Sequence, residues 1–319
     1  MTLSELSRLA NVSISTASKA FSMSKEISDE TRELVFSIAR ENGCFKKFFN
    51  AKFPKYMVAI ICPEIKSYYY SNLCLQIQEL LNACNCEVCI STVEFSLEKA
   101  KNSLEYYEKY SHVDAVVIID TDVDESSEYI VPIIGINSNI KKYKVSIKLD
   151  YNKIMVQMLN HFLEQGITDI VYIGESLSTI KNALFKEISE KMLKNINGDF
   201  MFLSNERFEQ GGYLAAQEIY RQRGGKFPKA VLCAYDNMAF GVIRFLNDNG
   251  INIPKDVKIV GMDNIITTDY YYPRLSSVDC LNTKVAEIVS KSLLDVFKQE
   301  TKPIEYNIEP ILVLRESSE

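Results

Sequence analysis

The chain of 319 residues has no tryptophan and two histidines, His112 and His161. No apolar run approaches the ~18 residues that mark a membrane-spanning helix. The N-terminal residues lack the basic-then-apolar order of a secretory signal. Together these absences set the expectation of a cytoplasmic protein with no membrane partner. No glycine-rich GxGxxG follows the first strand-like run, which ends in Cys62-Pro-Glu-Ile65, and neither a GxxxxGK[ST] loop nor a GxSxG elbow occurs. Neither histidine stands at a strand end where it would serve a Ser or Cys nucleophile. Dinucleotide, nucleoside-triphosphate and triad chemistry therefore lack their carriers, and the expectation is a non-enzyme with no cofactor.

Of eight cysteines, Cys84, Cys86 and Cys89 cluster in NACNCEVCI. No second Cys or His pair completes a tetrahedral metal set. Buried or half-buried reduced thiols, with Cys89 facing the core, are expected over a metal or redox site.

The composition, 47% hydrophobic and 24% charged, is that of a globular chain with room for two or three domains. Charge is uneven. Residues 1–55 hold nine Lys/Arg against six Asp/Glu, on a chain whose net charge is −6. A basic head on an acidic body suggests that the head alone meets a polyanion.

That head opens with LSELSRLANVSISTASKAF, residues 3–21. Thr2-Leu-Ser-Glu5 has the spacing of a capping box before a helix at about 3–10. Asn11 suits a tight turn. Ser13 would cap a second helix, about 14–22, with Val12 and Ala17 inward and an outer side of Ser, Thr and Lys. Ser28 begins a third, about 29–42, whose apolar side is Leu34, Val35, Ile38 and Ala39, stopped by Gly43. Three short helices with a tight first turn make a helix-turn-helix arrangement.

After the basic, aromatic stretch CFKKFFNAKFPK the texture changes. Strand-like runs (MVAIICP, EVCIST, VDAVVIID, IVPIIGIN) alternate with helical patterns, and the cycle restarts after Asp150 with DIVYIG, DFMFL, KAVLCAY and VKIVGMD. Such alternation predicts parallel sheets covered by helices on both faces. The strands are too many for one comfortable sheet, so two lobes meeting near 148–150 are expected. Ligands of such sheets sit at strand carboxyl ends. Those ends carry Tyr68 to Tyr70, Asp120 and Asp122, Glu175 with Ser176, Tyr235-Asp236, and Asp263-Asn264. For Asp236 and Asp263 both ligand contact and capping of the next helix fit. The tyrosine runs 68–70 and 270–272 suit either a stacking face or plain rim and core.

TLSELSRLANVSISTASKAF, ISDETRELVFSIARENG, the junction IKLDYN, CAYDNMAFG, IPKDVKIVGMDNI and the closing LVLRESS, in that order, resemble the lactose/galactose repressor family of bacterial transcription regulators. The resemblance spans essentially the whole chain. It implies a small all-α helix-turn-helix headpiece (1–43), a hinge (44–55), and a two-lobed, periplasmic-binding-protein-like α/β body of doubly wound parallel sheets (56–319). The lobes would comprise about 56–148 plus 278–302, and about 149–277 plus 303–319. It further implies a homodimer on double-stranded operator DNA, acting as a repressor, with a small-molecule effector between the lobes.

By resemblance, Thr2 joins the DNA-binding set, Ile14 and Ser15 occupy base-contacting positions, and Thr16 and Ser18 match phosphate contacts. Lys19 stands where Arg is common and Ser22 where Asn is common. Lys lacks the rigid guanidinium fork, so a divergent operator is expected. The family's hinge wedges a Leu into the minor groove. Here the hinge is shorter, and Phe53, or Phe49 one turn earlier, is the expected wedge. The effector set carried over is Tyr68, Tyr70, Asp120, Asp150, Lys181 (for the family's Arg), Tyr235 (for Asn), Asp236 and Asp263. A sugar or sugar phosphate leads as effector class, with a nucleobase, another polar metabolite or a degenerate site as alternatives. The ending after LVLRESS carries no heptad tail, which favours a dimer. A pure solute-binding protein and a regulator acting through a protein partner are the competing readings.

Overall fold

The computed structural model describes residues 1–48, 56–111, 113–121, 123, 129–138, 144–177, 179–192, 201–298 and 303–319. By compactness the chain divides into Met1–Val58 with Leu81–Cys89, and Ala59–Leu80 with Ile90–Glu319.

The head helices are α1 (Leu3–Leu9), α2 (Ile14–Phe21) and α3 (Asp29–Glu41). The Thr2–Glu5 capping box closes in both directions, with Glu5 N–H donating to Thr2 Oγ1 at 3.2 Å and Thr2 N–H to Glu5 Oε2 at 2.6 Å. Asn11 takes the left-handed turn at φ +51°. Leu6, Ala10, Ala17, Ala20, Phe21, Val35, Phe36 and Ala39 form the core, with Val12 and Ile38 packed against it. The third helix departs from expectation: Leu34 is 49% exposed and Phe36 takes the inward place. The stretch expected as a hinge from residue 44 also begins differently. Cys44 is buried in the head core, and a short helical turn α4 (Phe45–Phe48) lays Phe45 and Phe48 on it. The ring centroids of Phe21 and Phe48 lie 5.5 Å apart, those of Phe36 and Phe45 4.9 Å. Buried aromatic area on so small a core explains why these residues join it.

The body alternates β1 (Tyr56–Cys62), α5 (Tyr68–Ala83), β2 (Cys86–Thr92), α6 (Leu97–Lys109), β3 (Ala115–Ile119), β4 (Ile133–Ile136) and β5 (Val145–Leu149). It continues with α7 (Tyr151–Leu163), β6 (Ile170–Glu175), α8 (Thr179–Met192), β7 (Met201–Ser204), α9 (Phe208–Gln222), β8 (Ala230–Cys233), α10 (Asp236–Asp248) and β9 (Lys258–Met262). It closes with β10 (Ser276–Asp279), α11 (Asn282–Phe297), β11 (Ile304–Ile308) and β12 (Ile311–Val313). Two six-stranded sheets result, ordered β11-β5-β4-β3-β1-β2 and β12-β10-β9-β8-β6-β7. β3 to β5 and β11 pair in parallel, as do β6 to β10, while β12 runs antiparallel on the second sheet's edge. Fully buried strands such as Ala115–Ile119 read as unbroken apolar runs because both faces are covered.

One expected lobe boundary is corrected. Residues from 303 onward do not all belong to the second lobe, because β11 pairs with β5 in the first sheet. The chain therefore crosses between sheets after β5, after β10 and after β11. Two of these crossings are tied together, Asp150 N–H donating to the Ile308 carbonyl at 2.8 Å. In the second lobe α9 and α10 pack with backbones nearly touching. A Cβ on Gly212 would lie 1.9 Å from the Met238 carbonyl oxygen, and one on Gly241 2.0 Å from that of Glu209.

Of the clustered cysteines, Cys86 is buried, Cys89 half-buried and Cys84 exposed. Among the described residues no group of His, Cys, Asp or Glu could hold a metal ion. Among them, too, no helix is long and apolar enough to cross a membrane.

Candidate functional site

On α2, burial of Ala17, Ala20 and Phe21 turns the opposite side outward. Ile14 is 52% exposed, and Ser15, Ser18 and Ser22 are exposed with it. Positions 14, 18 and 22 succeed one another at i, i+4 spacing, so they line one face. Ser13 caps the helix through Thr16 N–H at 2.9 Å and shares a hydrogen bond with the Thr16 hydroxyl at 2.8 Å. Thr16 is half-buried. Lys19 pairs with Glu26, and Ser22 donates to the Lys19 carbonyl at 3.3 Å. Thr2 sits at the head's edge as the cap of α1. The face offers hydroxyls for base edges and phosphates, and one exposed aliphatic side chain of the kind that meets a thymine methyl. Phe49 and Phe53 lie outside the described residues.

The second candidate site is the cleft where the carboxyl ends of the two sheets face each other. Every residue that forms it lies in the larger compact unit. Each sheet has a switch point, between β1 and β3 in one and between β6 and β8 in the other, where open parallel sheets place ligands. Glu64 and Asp120 flank the first switch point; Glu175 and Tyr235 flank the second. Arg207 joins them. Its Nε donates to Glu175 at 2.8 Å, and its Nη2 reaches Glu64 of the first lobe at 3.4 Å. The guanidinium also lies over the rings of Phe208, at 4.5 Å, and Phe95, at 5.6 Å. Tyr235 donates to Glu175 at 2.9 Å and accepts from Phe208 N–H at 3.0 Å.

Deeper in the cleft, Tyr69, Tyr70, Asp120, Tyr151, Lys181, Asp263 and Cys280 are close enough to feel one another's charge. Burial pushes the Asp120 carboxyl up to about 6, against hydrogen bonds from Asn137 and Tyr70 and the positive charge of Lys181. Burial likewise raises the Asp263 carboxyl, which Lys181 pulls back down. Lys181, from the first turn of α8, donates to the Ala234 carbonyl at 3.2 Å and sits 5.5 Å over the Tyr151 ring. The Tyr69 hydroxyl is buried beside Tyr151 without a hydrogen bond of ordinary geometry, and Asn282 Oδ1 is also without a donor.

The cleft brings together Tyr70, Asp120, Lys181 and Asp263 of the expected set. The other four have different tasks. Tyr68 is 37% exposed at the start of α5, and its neighbour Tyr69 faces inward instead. Asp150 caps α7 through Lys153 N–H at 2.9 Å. Asp236 is fully buried; its oxygens accept from the Ser277 hydroxyl at 2.6 Å and from Ile265 N–H at 2.9 Å, which fixes the loop after β9. Tyr235 holds Glu175 and the Phe208 amide. Asp122 lies outside the described residues. Sequence reasoning named Tyr69 only within the tyrosine run 68–70, and did not name Tyr151, Arg207, Asn137 or Cys280. Arg207 sits at a strand's carboxyl end like the residues that were named, but no motif singles it out.

A helix-turn-helix head with an open polar recognition face, followed by paired parallel sheets with an ionisable cleft at their carboxyl ends, defines a ligand-responsive DNA-binding protein. A family model of bacterial regulatory proteins, lacI family, matches residues 2–43, and one of a periplasmic binding protein-like domain matches residues 159–318. Residues 159–318 thus belong to the periplasmic binding protein-like family, and the head matches that of the lacI family of bacterial regulatory proteins. The chain is a DNA-binding transcription regulator. It is 22% identical to the HTH-type transcriptional regulator RegA of Clostridium saccharobutylicum, over 99% of this chain and 98% of that one. The fold is similar to that of the lac repressor dimer bound to operator and the anti-inducer ONPF, with TM-score 0.73 and 17% identity over 100% of this chain and 99% of that one. It is similar also to a LacI family regulator from Arthrobacter sp. FB24 in complex with lactose, with TM-score 0.70 and 18% identity over 83% of this chain and 100% of that one.

Proposed function

We propose that this regulator is a cytoplasmic homodimer that represses transcription by holding α2 in the major groove of a near-palindromic operator, and that an uncharged or charged sugar-like effector in the cleft changes that grip. The observation that carries the DNA reading is the face of Ile14, Ser15, Ser18 and Ser22, left open while the other side of α2 is buried. Of the set, Thr16 and Ser18 serve as phosphate contacts, and Lys19 takes the place where the family's Arg is common. Lys19 already balances Glu26 in the free head, so docking exchanges one partner for another.

The head comprises residues 1–48 in this reading, the hinge follows, and Phe49 or Phe53 supplies the apolar wedge between base steps. Ligand between the lobes turns one against the other, and the coupling to DNA is reciprocal by linkage. The test is selection of bound duplexes from a random pool at moderate salt. Enrichment of two half-sites about one helical turn apart is expected for a dimer. Binding that tracks only salt, with no enriched sequence, would overturn the reading. The wedge has its own test: a Phe53→Ala variant should bend the selected operator less, and undiminished bending by both Phe53→Ala and Phe49→Ala would remove the wedge.

A further inference from the structure

The charges in the cleft do not balance. Among the described residues that face it, Arg207 is already shared by Glu175 and Glu64. Asp236 is closed off by Ser277 and the Ile265 amide. The Arg315 guanidinium is held by Asp269, Asn264 and the Leu275 carbonyl. This leaves Asp120 from the first lobe and Asp263 from the second against one ammonium, Lys181. In this inner group two carboxylates meet one cation, as Glu64 and Glu175 meet one in Arg207, and charge left uncompensated in a partly buried site is costly.

The remaining groups state what the missing partner carries. Tyr69 is 7% exposed, and its buried hydroxyl, beside that of Tyr151, makes no hydrogen bond of ordinary geometry. Asn282 Oδ1 is a second acceptor without a donor, on a residue whose amide nitrogen lies 3.4 Å from the Tyr69 carbonyl. The Tyr151 ring, with the Lys181 ammonium 5.5 Å over it, shows that an aromatic face here takes a cation. No free guanidinium fork is present among these residues to grip a phosphate or carboxylate.

Resting on the cleft reading above, we propose that the effector is a small hydroxylated ammonium compound of the amino-sugar class, its ammonium seated between Asp120 and Asp263 and its hydroxyls meeting Tyr69 and Asn282. Bound in this way it gives the Asp120–Asp263 pair two ammonium groups. A sugar phosphate would instead add negative charge beside these carboxylates.

The experiment is calorimetric titration of the full-length protein at pH 7.5 with three matched sets of probes: glucose, galactose and mannose, each as the 2-amino sugar, the parent sugar and the 6-phosphate. In at least one set the amino sugar should bind about tenfold or more tightly than the parent, with no binding of the phosphate. Asp263→Asn and Asp120→Asn should each cancel most of that preference. Melting curves confirm that both variants fold. A parent sugar or a phosphate that binds as tightly as the amino sugar, with binding lost in Tyr69→Phe, would overturn the ammonium inference and leave the cleft reading standing. Absence of binding by every probe would overturn the amino-sugar class. If small-molecule extracts then also failed to change operator affinity, the cleft reading would fall with it.

Discussion

Arg207 of the second lobe reaches Glu64 of the first at 3.4 Å while holding Glu175 of its own lobe at 2.8 Å. One guanidinium thus serves as both a support within a lobe and a link between lobes. The two tasks separate on mutation. Glu64→Gln removes the longer pair and leaves Arg207 with Glu175. Arg207→Ala takes the guanidinium from Glu175, which is 5% exposed at its side chain, and leaves it the Tyr235 hydroxyl. Arg207→Ala should therefore lower stability the more. The cost should stay below the roughly 3–5 kcal/mol of breaking a fully buried pair, because Arg207 itself is 24% exposed. Denaturant melts of the two variants check the order, and equal losses would contradict it.

The head predicts a split between folding and recognition. Ile14 is 52% exposed and contributes little to the core. Ile14→Ala should leave the melting curve unchanged and weaken the selected operator by ~1 kcal/mol, the low end for a base-edge contact. Thr2→Ala should add a loss that Ile14→Ala lacks, costing about 1 kcal/mol of head stability through the lost cap. Anisotropy titrations beside thermal melts separate the two effects.

Asp120 sets a pH dependence with a definite sign. Its native carboxyl holds a proton up to about 6, against 3.8 for the ordinary group. Between those values the folded state binds more protons than the unfolded one. Stability from this residue is therefore present at low pH and lost as pH rises through about 6. The groups that face it are Tyr69 and Tyr70 on α5, Asn137 after β4, Tyr151 on α7, Lys181 on α8 and Asp263 after β9. Asp120→Asn should raise the melting temperature at pH 7.5 by about 3 °C, the shift that ~1 kcal/mol gives a domain of this size. At pH 4.5 the gain should vanish. Melts of parent and variant across that range test both halves.

Gly212→Ala tests the second lobe. The added methyl carbon would lie 1.9 Å from the Met238 carbonyl oxygen, a backbone atom that cannot swing aside. Overpacking of this kind usually costs about 1–3 kcal/mol; contact with backbone places this case at the upper end or beyond. Gly250→Ala makes the matched control. No atom lies within 4 Å of its would-be Cβ, although its φ of +68° still imposes a backbone cost. A Gly212→Ala variant as stable as the parent would contradict the helix contact.

The head was legible because its signals are local. The capping box, the Asn11 turn and the Ser13 cap each involve residues three or four apart, and each stands as read. The body's strands were legible for the same reason, as short buried apolar runs. What escaped depends on distant contacts. Nothing local distinguishes Tyr69 from Tyr68 as the inward ring, and the helix start decides it. Asp150 and Asp263 both follow strands, yet one caps a helix and the other faces the cleft. The return of Phe45 and Phe48 to the head, and of β11 to the first sheet, are choices of partner far along the chain.

The three crossings between the sheets set the mechanics of the body. A single tether would let one lobe slide, tilt or swing over the other. Three covalent tethers, two of them fastened by the Asp150–Ile308 hydrogen bond, oppose sliding, because each would have to stretch at the same time. Twisting remains cheap, since every tether shares a small backbone rotation. The lobes are joined as a torsion joint. A ligand that pulls on both sheets therefore delivers a rotation, and its angle is the quantity that the cleft has to communicate.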